Sequence, residues 1–358
     1  MINRDRLVKT FCELVKIDSP SGEEQAVADE LVRRLTHLGV SVARDDYGNL
    51  IARSGGGDPV MLSAHMDTVE PGRNVRPSVE GDRIVSDGTT ILGGDCKAGV
   101  SAILEAVESV LEDDTVHVPY EIVFTREEET GLFGARNLDM AMIRSNEAVV
   151  FDGEGPVSQI TSSSPTYYSF DVEITGRAAH AGMEPEKGLS AIRVAADLLL
   201  NLPQGRLDHE TTFNIGKIEG GQVRNAVPET AILTGEFRSM NVETLDEVRL
   251  GIVEALATVR KMYPDATIDD NIRTEFETYT LPDDDPALRR VSAALVGLGL
   301  KPAMKISGGG TDGNVFRRKG ISAVVVGMAV TGMHTKQEYV TIPDLVDAAH
   351  LCEKILTT

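Results

Sequence analysis

Tryptophan is absent from the sequence, and aromatic residues make up only 4% of its 358 residues. Stacking platforms for bases or sugars are built from aromatic side chains, so this composition argues against such a platform. Basic residues are also scarce, since 35 Lys and Arg stand against 56 Asp and Glu, for a formal charge of −21. An acidic surface repels nucleic acid and anionic lipid. We therefore expect neither nucleic acid nor a membrane as a partner.

Cysteines and long apolar segments are few as well. Cys12, Cys96 and Cys352 are too scattered for a disulfide framework. No run of 18 or more apolar residues is present, and residues 1–11 (MINRDRLVKTF) lack the apolar core of a signal peptide. These features predict a cytoplasmic protein, and the chain is long enough for two domains with sizeable cores.

Several apolar segments lead into a residue that can bind metal. In open α/β sheets, ligand sites lie at the carboxyl ends of the strands, so these positions are informative. The segments predicted to be strands are 59–64 before His65, 120–125 before the run Glu127-Glu128-Glu129, 148–151 before Asp152, and 321–329 ahead of His334. A single polar residue after a strand is common. Ordinary turns do not explain why several predicted strands each lead into a potential metal ligand.

A further candidate, Asp95, lies in the glycine-rich turn 93–99 before a helical pattern over residues 100–111. Glycines there let the backbone approach a ligand closely, and a carboxylate at the mouth of a helix can bridge two cations. The turn fits an ordinary helix entry with Asp95 as the cap equally well. Cys96 is a weaker candidate ligand, because its side chain should diverge from that of Asp95.

Glu127, Glu128 and Glu129 are adjacent carboxylates that repel one another. Such a run is usually a solvated face, but this one follows an apolar segment predicted to be a buried strand. Positive charge is needed to hold the carboxylates together, and a metal ion supplies it. His65 and Asp67 point to the same face of an extended chain, so Asp67 can hold the second imidazole nitrogen of a metal-bound His65. The pattern indicates metal-assisted hydrolysis.

Taken together, the motifs resemble those of the co-catalytic zinc peptidase family that includes peptidase T, aminoacylase, glutamate carboxypeptidase and succinyl-diaminopimelate desuccinylase. The resemblance covers nearly the whole chain. The motifs follow the family's order and are His65-Met66-Asp67, residues 94–99 (GDCKAG), residues 127–131 (EEETG), residues 176–188 (GRAAHAGMEPEKG) and His334-Thr335.

The resemblance implies two zinc ions per chain, for which Co²⁺ or Mn²⁺ could substitute. One ion would lie on His65, Asp95 and Asp152, and the other on Asp95, Glu129 and His334, with Asp95 as the bridge. The resemblance also implies Glu128 as the general base, Asp67 as the residue that orients His65, and a cis peptide after Asp95. Cys96 departs from the pattern, since many relatives carry Asp at this position. Because this residue is not expected to bind metal, the departure affects the local geometry and not the activity.

The order of elements predicts one domain inserted in another. Strands and helices alternate up to Gly153, as expected for an α/β fold with a mostly parallel sheet and helices on both faces. Residues 165–277 predict an α+β lid or dimerisation domain of four strands and two helices. Because His334 lies beyond this insert, residues 1–164 and 278–358 are expected to form one catalytic domain of the zinc-peptidase type. Ser21 and Glu24 predict a capping box for a helix over residues 21–38.

The insert carries candidate substrate-binding residues of its own. A lone His in a small-residue loop is more often structural, but the resemblance implies that His180 stabilises an oxyanion, often across a dimer interface. Asn225 and Arg238 match the family's substrate-binding positions. Arg238 could instead be a surface cation on a strand, although its guanidinium suits a carboxylate, which it can hold through two parallel hydrogen bonds.

The loop 308–313 (GGGTDG) and Asp152 both resemble the peptidase T and aminopeptidase branch. Gly309, Gly310 and Asp312 in this loop are therefore expected to contact the substrate. The loop lacks the signatures of a P-loop and of a dinucleotide site. Backbone amides at a helix start bind any anion, so a substrate carboxylate suits this loop as well as a phosphate does.

The function favoured by the sequence is hydrolysis of short peptides by a zinc-dependent aminopeptidase or tripeptidase that releases the N-terminal residue, with a homodimer formed through the insert. Deacylation of an N-acyl amino acid at the same metal site is a second possibility. A metal-binding protein without catalysis is a third. The presence of Glu128 beside the ligands argues against the third, because metal binding alone does not need an extra base.

Overall fold

The computed structural model describes residues 1–113 and 115–358 and divides into two compact units. The first unit comprises Met1–Ser163, Tyr279–Ser307 and Thr311–Thr358, and the second comprises Ser164–Thr278 and Gly308–Gly310. The sequence assigns residues 308–310 to the catalytic domain, whereas in the structure they belong to the second unit.

The helices and strands have the following bounds. The helices are α1 (Arg4–Leu14), α2 (Gln25–His37), α3 (Gly94–Glu112), α4 (Phe133–Asn137), α5 (Ala191–Leu200), α6 (Val242–Met262), α7 (Pro286–Gly297), α8 (Asp312–Arg318) and α9 (Ile342–Leu356). The strands are β1 (Ser41–Arg44), β2 (Leu50–Ser54), β3 (Val60–His65), β4 (Ser78–Glu80), β5 (Arg83–Val85), β6 (Tyr120–Thr125), β7 (Glu147–Gly153), β8 (Gln159–Ser164), β9 (Thr166–Thr175), β10 (Gly205–Arg206), β11 (Thr212–Gly220), β12 (Thr230–Ser239), β13 (Thr267–Phe276), β14 (Tyr279–Thr280), β15 (Ala303–Ile306), β16 (Ser322–Gly327), β17 (Val330–Thr331) and β18 (Tyr339–Thr341).

The large sheet has the strand order β1-β2-β6-β3-β7-β16-β8-β14, with β15 paired to β8. Its centre, β6-β3-β7-β16, is parallel, whereas β1, β2 and β8 form antiparallel pairs. Every residue of β3 and β6 is buried, so both faces of the sheet are covered at its centre. This burial explains why the central strands consist mainly of apolar residues. The prediction of a largely parallel α/β sheet is confirmed. Parallel strands bring the carboxyl ends of β3, β6 and β7 to the same edge.

A smaller sheet, β17-β18-β5-β4, belongs to the same unit. The apolar run predicted over residues 321–329 ends as a strand at Gly327, and the chain then forms the antiparallel pair β17 and β18. His334 therefore lies in the connection of a hairpin and not at the end of a central strand. A single apolar run could not reveal this hairpin, because its partner strand comes after His334.

The second unit contains the antiparallel sheet β10-β11-β12-β9-β13. Alternate residues of β9 are buried, and Phe170, Val172 and Ile174 form a core with apolar residues of α5 and α6. This alternation with period two is the signature of a half-buried strand. The structure adds the short β10 to the predicted strands of the insert.

The predicted capping box of Ser21 and Glu24 is wrong. Helix α2 begins at Gln25, and its first turn has no side-chain cap from Glu24. Ser21 Oγ donates instead to Asp67 Oδ2 at 2.6 Å, and the Glu24 carboxylate accepts from the Arg126 guanidinium at 2.8 Å. Charged partners distant in sequence form stronger hydrogen bonds than a local backbone N–H does.

Among the described residues, no helix combines the length and the apolar character needed to span a membrane.

Candidate metal centre

The carboxyl edge of the central sheet gathers side chains that suit a metal ion. His65 is the last residue of β3, Asp152 lies near the end of β7, and Glu128 and Glu129 follow the end of β6. His65, Asp152 and Glu128 are buried. The parallel register of these strands is what places residues so distant in sequence at one edge.

His65, Asp95 and Asp152 form the first group of donor atoms, which we call the His65 cluster. The His65 Nε2 atom lies 3.0 Å from Asp95 Oδ1 and 3.4 Å from Asp152 Oδ1. Asp95, Glu129 and His334 form the second group, the His334 cluster. The His334 Nε2 atom lies 3.2 Å from Asp95 Oδ2 and 3.0 Å from Glu129 Oε2.

Asp95 therefore belongs to both groups, and each of its two carboxylate oxygens faces a different imidazole. The backbone of Asp95 is not helical, with ψ of 107°, and the entry of α3 has no hydrogen bond from a side-chain cap. Of the two interpretations that the sequence left open for Asp95, this geometry suits the bridging ligand.

The separations between donor atoms fit divalent cations. Atoms bound to one tetrahedral zinc, each at about 2.0–2.2 Å from the ion, lie about 3.3–3.6 Å from one another. The imidazole nitrogens of the two clusters lie 3.0 to 3.4 Å from the carboxylate oxygens, and all donor atoms of each cluster lie within 4.8 Å of one another. Imidazole nitrogen and carboxylate oxygen are also donor types that zinc accepts. The residues of both clusters could therefore each hold an ion.

The Cys96 side chain was expected to point away from that of Asp95, but in the structure it lies near the His65 cluster. Its sulfur is within 4.8 Å of the donor atoms of that cluster, and it donates to the Phe151 carbonyl oxygen. Burial raises the pKa of this thiol well above its ordinary range. A metal ligand is a thiolate, whereas this hydrogen bond needs the protonated thiol. The nitrogen and oxygen donors remain the better set.

Close packing of glycines positions Asp95. A Cβ atom on Gly94 would lie 2.9 Å from a methyl group of Val340, and one on Gly99 would lie 2.6 Å from the Phe151 carbonyl oxygen. Only glycine permits these approaches, because real Cβ atoms do not come so near. The Asp95–Cys96 peptide is cis, as the family resemblance implies.

Asp67 connects the histidine and glutamate ligands. Its Oδ1 atom lies 3.3 Å from His65 Nδ1 and accepts the Glu128 backbone N–H at 3.0 Å, while its Oδ2 atom accepts from the Glu129 N–H at 3.2 Å. Burial opposes the ionised form of Asp67, but the hydrogen bonds from His65, Ser21 and Glu128 outweigh it and lower the pKa. This is the geometry that an orienting role requires.

The centre concentrates buried negative charge. Burial, together with the charge of Asp95, raises the pKa of Glu129 and of Asp152 to about 7. Burial and the charge of Asp152 raise the pKa of Glu128 well above its usual range. Hydrogen bonds to Asp95 and Glu129 raise the pKa of His334 to about 10. Carboxylates that resist ionisation in this way favour a bound cation, which stabilises their charged forms.

Asp312 is a further buried carboxylate of the first unit, and it lies near enough to influence Glu128 and Asp152. It is 1% exposed, and its Oδ2 atom accepts a hydrogen bond from Thr125 Oγ1 at the end of β6. This hydrogen bond ties Asp312 to the strand that leads into the glutamates, and, in addition to burial, its charge helps to raise the pKa of Glu128 and Asp152. The predicted contact of Asp312 with a substrate stays a prediction.

His180 and Asn225 lie together in the second unit. Their loops are joined by the hydrogen bonds from Ala181 N–H to the Asn225 carbonyl and from Val227 N–H to the Ala179 carbonyl. His180 is exposed, and its Nδ1 accepts from the Gly182 N–H at 3.2 Å. In the neutral ring the proton is then on Nε2, which can donate to another group.

Arg238, Gly309 and Gly310 form another part of the second unit. The Arg238 guanidinium donates to the Gly308 carbonyl at 3.1 Å and to Glu236 at 2.8 Å, and it lies over the Tyr167 ring. Ser164 Oγ donates to the Gly309 carbonyl at 2.9 Å. These contacts explain why residues 308–310 join the second unit, a result that the loop sequence did not predict.

Glu338 is a buried carboxylate beside the centre that no sequence motif indicated. Its carboxylate is 1% exposed and accepts backbone hydrogen bonds from the turn that carries Asp95. In the sequence, Glu338 is an acidic residue between His334 and the short segment Tyr339–Thr341, a pattern too common to indicate a site.

Comparisons with known proteins find peptidase families and peptidase structures. Residues 165–263 match the family model described as "Peptidase dimerisation domain", and residues 49–161 match that of "Peptidase family M28". The uncharacterised protein YqjE of Bacillus subtilis is 36% identical over 99% of each chain. A tripeptidase structure from Staphylococcus aureus is 32% identical, covers 100% of this chain and 98% of its own, and has a TM-score of 0.90. Aminopeptidase PepT from Bacillus cereus is 36% identical, with a TM-score of 0.84 and coverage of 99% and 98%.

A metallopeptidase is the class of enzyme that these matches and the metal centre define. The relatives above 30% identity span nearly the whole chain. The chain belongs to the M20 peptidase family, in its peptidase T-like branch. The resemblance inferred from the motifs is thereby confirmed.

Because Asp95 is the shared donor, we expect Asp95→Ala to bind neither of two divalent ions, whereas His334→Ala should lose only one. The check is metal analysis of purified, zinc-loaded protein by mass spectrometry. His209→Ala, which removes an exposed histidine, should retain the wild-type metal content. Full occupancy of either cluster in Asp95→Ala would disprove the bridging role.

Proposed function

We propose that this chain is an aminopeptidase that removes the N-terminal residue from tripeptides and similarly short peptides, with two zinc ions per chain. The observation that carries the proposal is Asp95, whose two carboxylate oxygens face two separate imidazoles at 3.0 and 3.2 Å. The relatives described above are named as a tripeptidase and an aminopeptidase. They give no support to the alternatives of an N-acyl amino acid deacylase or a non-catalytic metal-binding protein.

Ions held by His65, Asp95 and Asp152 and by Asp95, Glu129 and His334 would lower the pKa of a shared water and polarise the peptide carbonyl. Zinc suits this mixed nitrogen and oxygen donor set, and Co²⁺ or Mn²⁺ could replace it. Asp67 holds the His65 ring so that Nε2 faces the cluster, and its carboxylate also fixes the backbone of Glu128 and Glu129.

Glu128 is the proposed general base. It is buried and adjoins a ligand candidate, yet it is not a member of either cluster of donor atoms. Glu128 would take the proton of the attacking water and give it to the nitrogen of the leaving amine. Its backbone is fixed by Asp67, so the carboxylate starts from a defined position.

The second unit would supply contacts to the substrate. The His180 Nε2–H would donate to the carbonyl oxygen as it gains negative charge, which stabilises the transition state. Arg238 would bind the terminal carboxylate of a short peptide. Its guanidinium is already held in one plane by Glu236, Gly308 and Tyr167, so little side-chain entropy is lost on binding. Asn225, Gly309 and Gly310 are proposed as further substrate contacts.

We further propose a homodimer formed through the second unit, which rests on the match of residues 165–263 to a peptidase dimerisation domain. A cytoplasmic location completes the proposal, because the free cysteines Cys12, Cys96 and Cys352 suit a reducing compartment.

A panel of short substrates tests the function. We expect trialanine to be hydrolysed to alanine and dialanine in the presence of Zn²⁺, Co²⁺ or Mn²⁺, with slower cleavage of dialanine and tetraalanine. N-acetyl-trialanine is the matched control, since it lacks only the free amino group, and it should resist cleavage. The amino acids released are quantified by chromatography. Preferred hydrolysis of N-acetyl or N-succinyl amino acids would instead favour the deacylase.

Glu128→Gln should retain the fold and both ions yet lose turnover by a factor of about 10² to 10⁴, the usual contribution of a positioned acid-base group. The amide has nearly the same shape as the carboxylate but cannot accept the proton. The measurements are kcat on trialanine and metal content on the same sample. The neighbouring Glu129→Gln should instead lose metal, and the opposite pattern in the two variants would exchange their roles.

His180→Ala should lower kcat, since an oxyanion contact exists mainly in the transition state, whereas Arg238→Ala should chiefly raise KM. Steady-state kinetics on trialanine separate the two effects. Mixing His180→Ala chains with Glu128→Gln chains should restore activity if the partner subunit supplies His180. Unchanged kinetics in both single variants would remove the second unit from substrate binding.

A further inference from the structure

Glu338 is a buried carboxylate to which the proposed mechanism gives no part. It lies four residues after His334, in the hairpin formed by β17 and β18, and is 1% exposed. Its Oε2 atom accepts hydrogen bonds from the backbone N–H groups of Leu92 and Gly93, both at 2.8 Å. Its Oε1 atom accepts the N–H of Asp95 at 3.1 Å. The carboxylate therefore binds the backbone of the turn that ends in the shared ligand.

The His65 cluster has its own support from the central sheet. His65 and Asp152 lie on the neighbouring parallel strands β3 and β7, whose hydrogen bonds fix their backbones. The Cys96 thiol donates to the Phe151 carbonyl and thereby ties the residue after Asp95 to β7. These contacts do not involve the hairpin.

The His334 cluster depends on a less regular part of the chain. His334 has a left-handed backbone with φ of 63°, and its side chain is 51% exposed. Its hairpin meets the Asp95 turn through apolar contact, since Val330 and Val340 lie beside Gly94. Apolar contact is non-directional, so it does not by itself fix how far Asp95 lies from His334. The Glu338 carboxylate adds directional hydrogen bonds between the same two segments.

We propose that Glu338 is a positioning residue for the His334 cluster. By fastening the hairpin to the backbone of Asp95, it fixes the 3.2 Å approach of His334 Nε2 to Asp95 Oδ2 and so sets the affinity of that cluster for its ion. Its oxygens are turned to backbone N–H groups, so it acts through Asp95 and His334 and does not contact the ion. The inference rests on the proposed two-ion function.

The test compares metal binding by wild-type protein and by Glu338→Gln. The glutamine has the same size, but its NH₂ group must face one of the backbone N–H groups. At least one hydrogen bond to the Asp95 turn is therefore lost. Full-length protein is stripped with a chelator and titrated with Co²⁺, and binding is followed by visible absorption and calorimetry. We expect the weaker of two dissociation constants to rise by about 10- to 100-fold, as is typical when a partner of a ligand is lost. The other constant should be unchanged.

His334→Ala identifies the signal of the His334 cluster, because it removes a donor that only that cluster uses. The matched control for burial is Glu121→Gln. Glu121 is also a fully buried carboxylate that accepts backbone N–H groups, from Arg144 and Ser145, but it lies at the start of β6, away from the carboxyl ends of the strands. We expect Glu121→Gln to lower the melting temperature without changing either metal constant. With excess Co²⁺, kcat of Glu338→Gln should return towards the wild-type value.

Two results would overturn the inference: wild-type affinity for both ions in Glu338→Gln, or equal weakening of the same ion in Glu121→Gln, which would reflect general destabilisation. Circular dichroism of the metal-free samples checks the fold. If Glu338→Gln does not fold, Glu338→Asp, which keeps the charge on a shorter side chain, is titrated and should show the same selective loss. Binding of only one ion by wild-type protein would refute the two-ion function itself, a result separate from the comparison of variants.

Discussion

The carboxylate of Asp95 between the imidazoles of His65 and His334 is the contact on which the rest of the metal centre depends. Its oxygens lie 3.0 and 3.2 Å from the two Nε2 atoms. A separation of this size can be met only if a strand end, a glycine-rich turn and a hairpin are all fixed to within a fraction of an ångström. The close approaches at Gly94 and Gly99 exclude side chains from the space that this arrangement needs.

Burying several carboxylates together is unfavourable unless each is hydrogen bonded or neutralised. Two features of the structure bear on this unfavourable free energy. Asp67 and Glu338 accept backbone N–H groups, which fixes the turns around them. The hydrogen bonds of Asp67 outweigh burial and lower its pKa, whereas those of Glu338 offset only part of the effect of burial, which raises its pKa to about 7. Glu128, Glu129 and Asp152 resist ionisation in their buried setting, and this is the environment in which a divalent cation binds strongly. The same residues that would destabilise a protein without metal thus suit a metallopeptidase.

In the proposed function, one unit binds the metal ions and the other contacts the substrate. The first holds the candidate ligands and Glu128 on a largely parallel sheet, whose strand ends converge at one edge. The second presents His180 and Asn225 on paired loops, and Arg238 beside residues 308–310, on an antiparallel sheet. A rigid scaffold for the ions and a separate one for the substrate contacts allow either set to vary without disturbing the other.

The sequence alone determined the strands that lead into His65, Glu128 and Asp152, because buried strands need continuous apolar runs and ligand sites follow their carboxyl ends. The order of the motifs was also enough to indicate the family. Tertiary structure decided the contacts between residues that are distant in sequence. Ser21 bonds to Asp67 across 46 residues, and Glu338 reaches Asp95 across 243. Asp312 is buried with its carboxylate bonded to Thr125, and residues 308–310 join the second unit. Each of these outcomes depends on a partner that folding brings near, and hydrogen-bond partners so remote leave no periodicity or spacing in the chain from which they could be read.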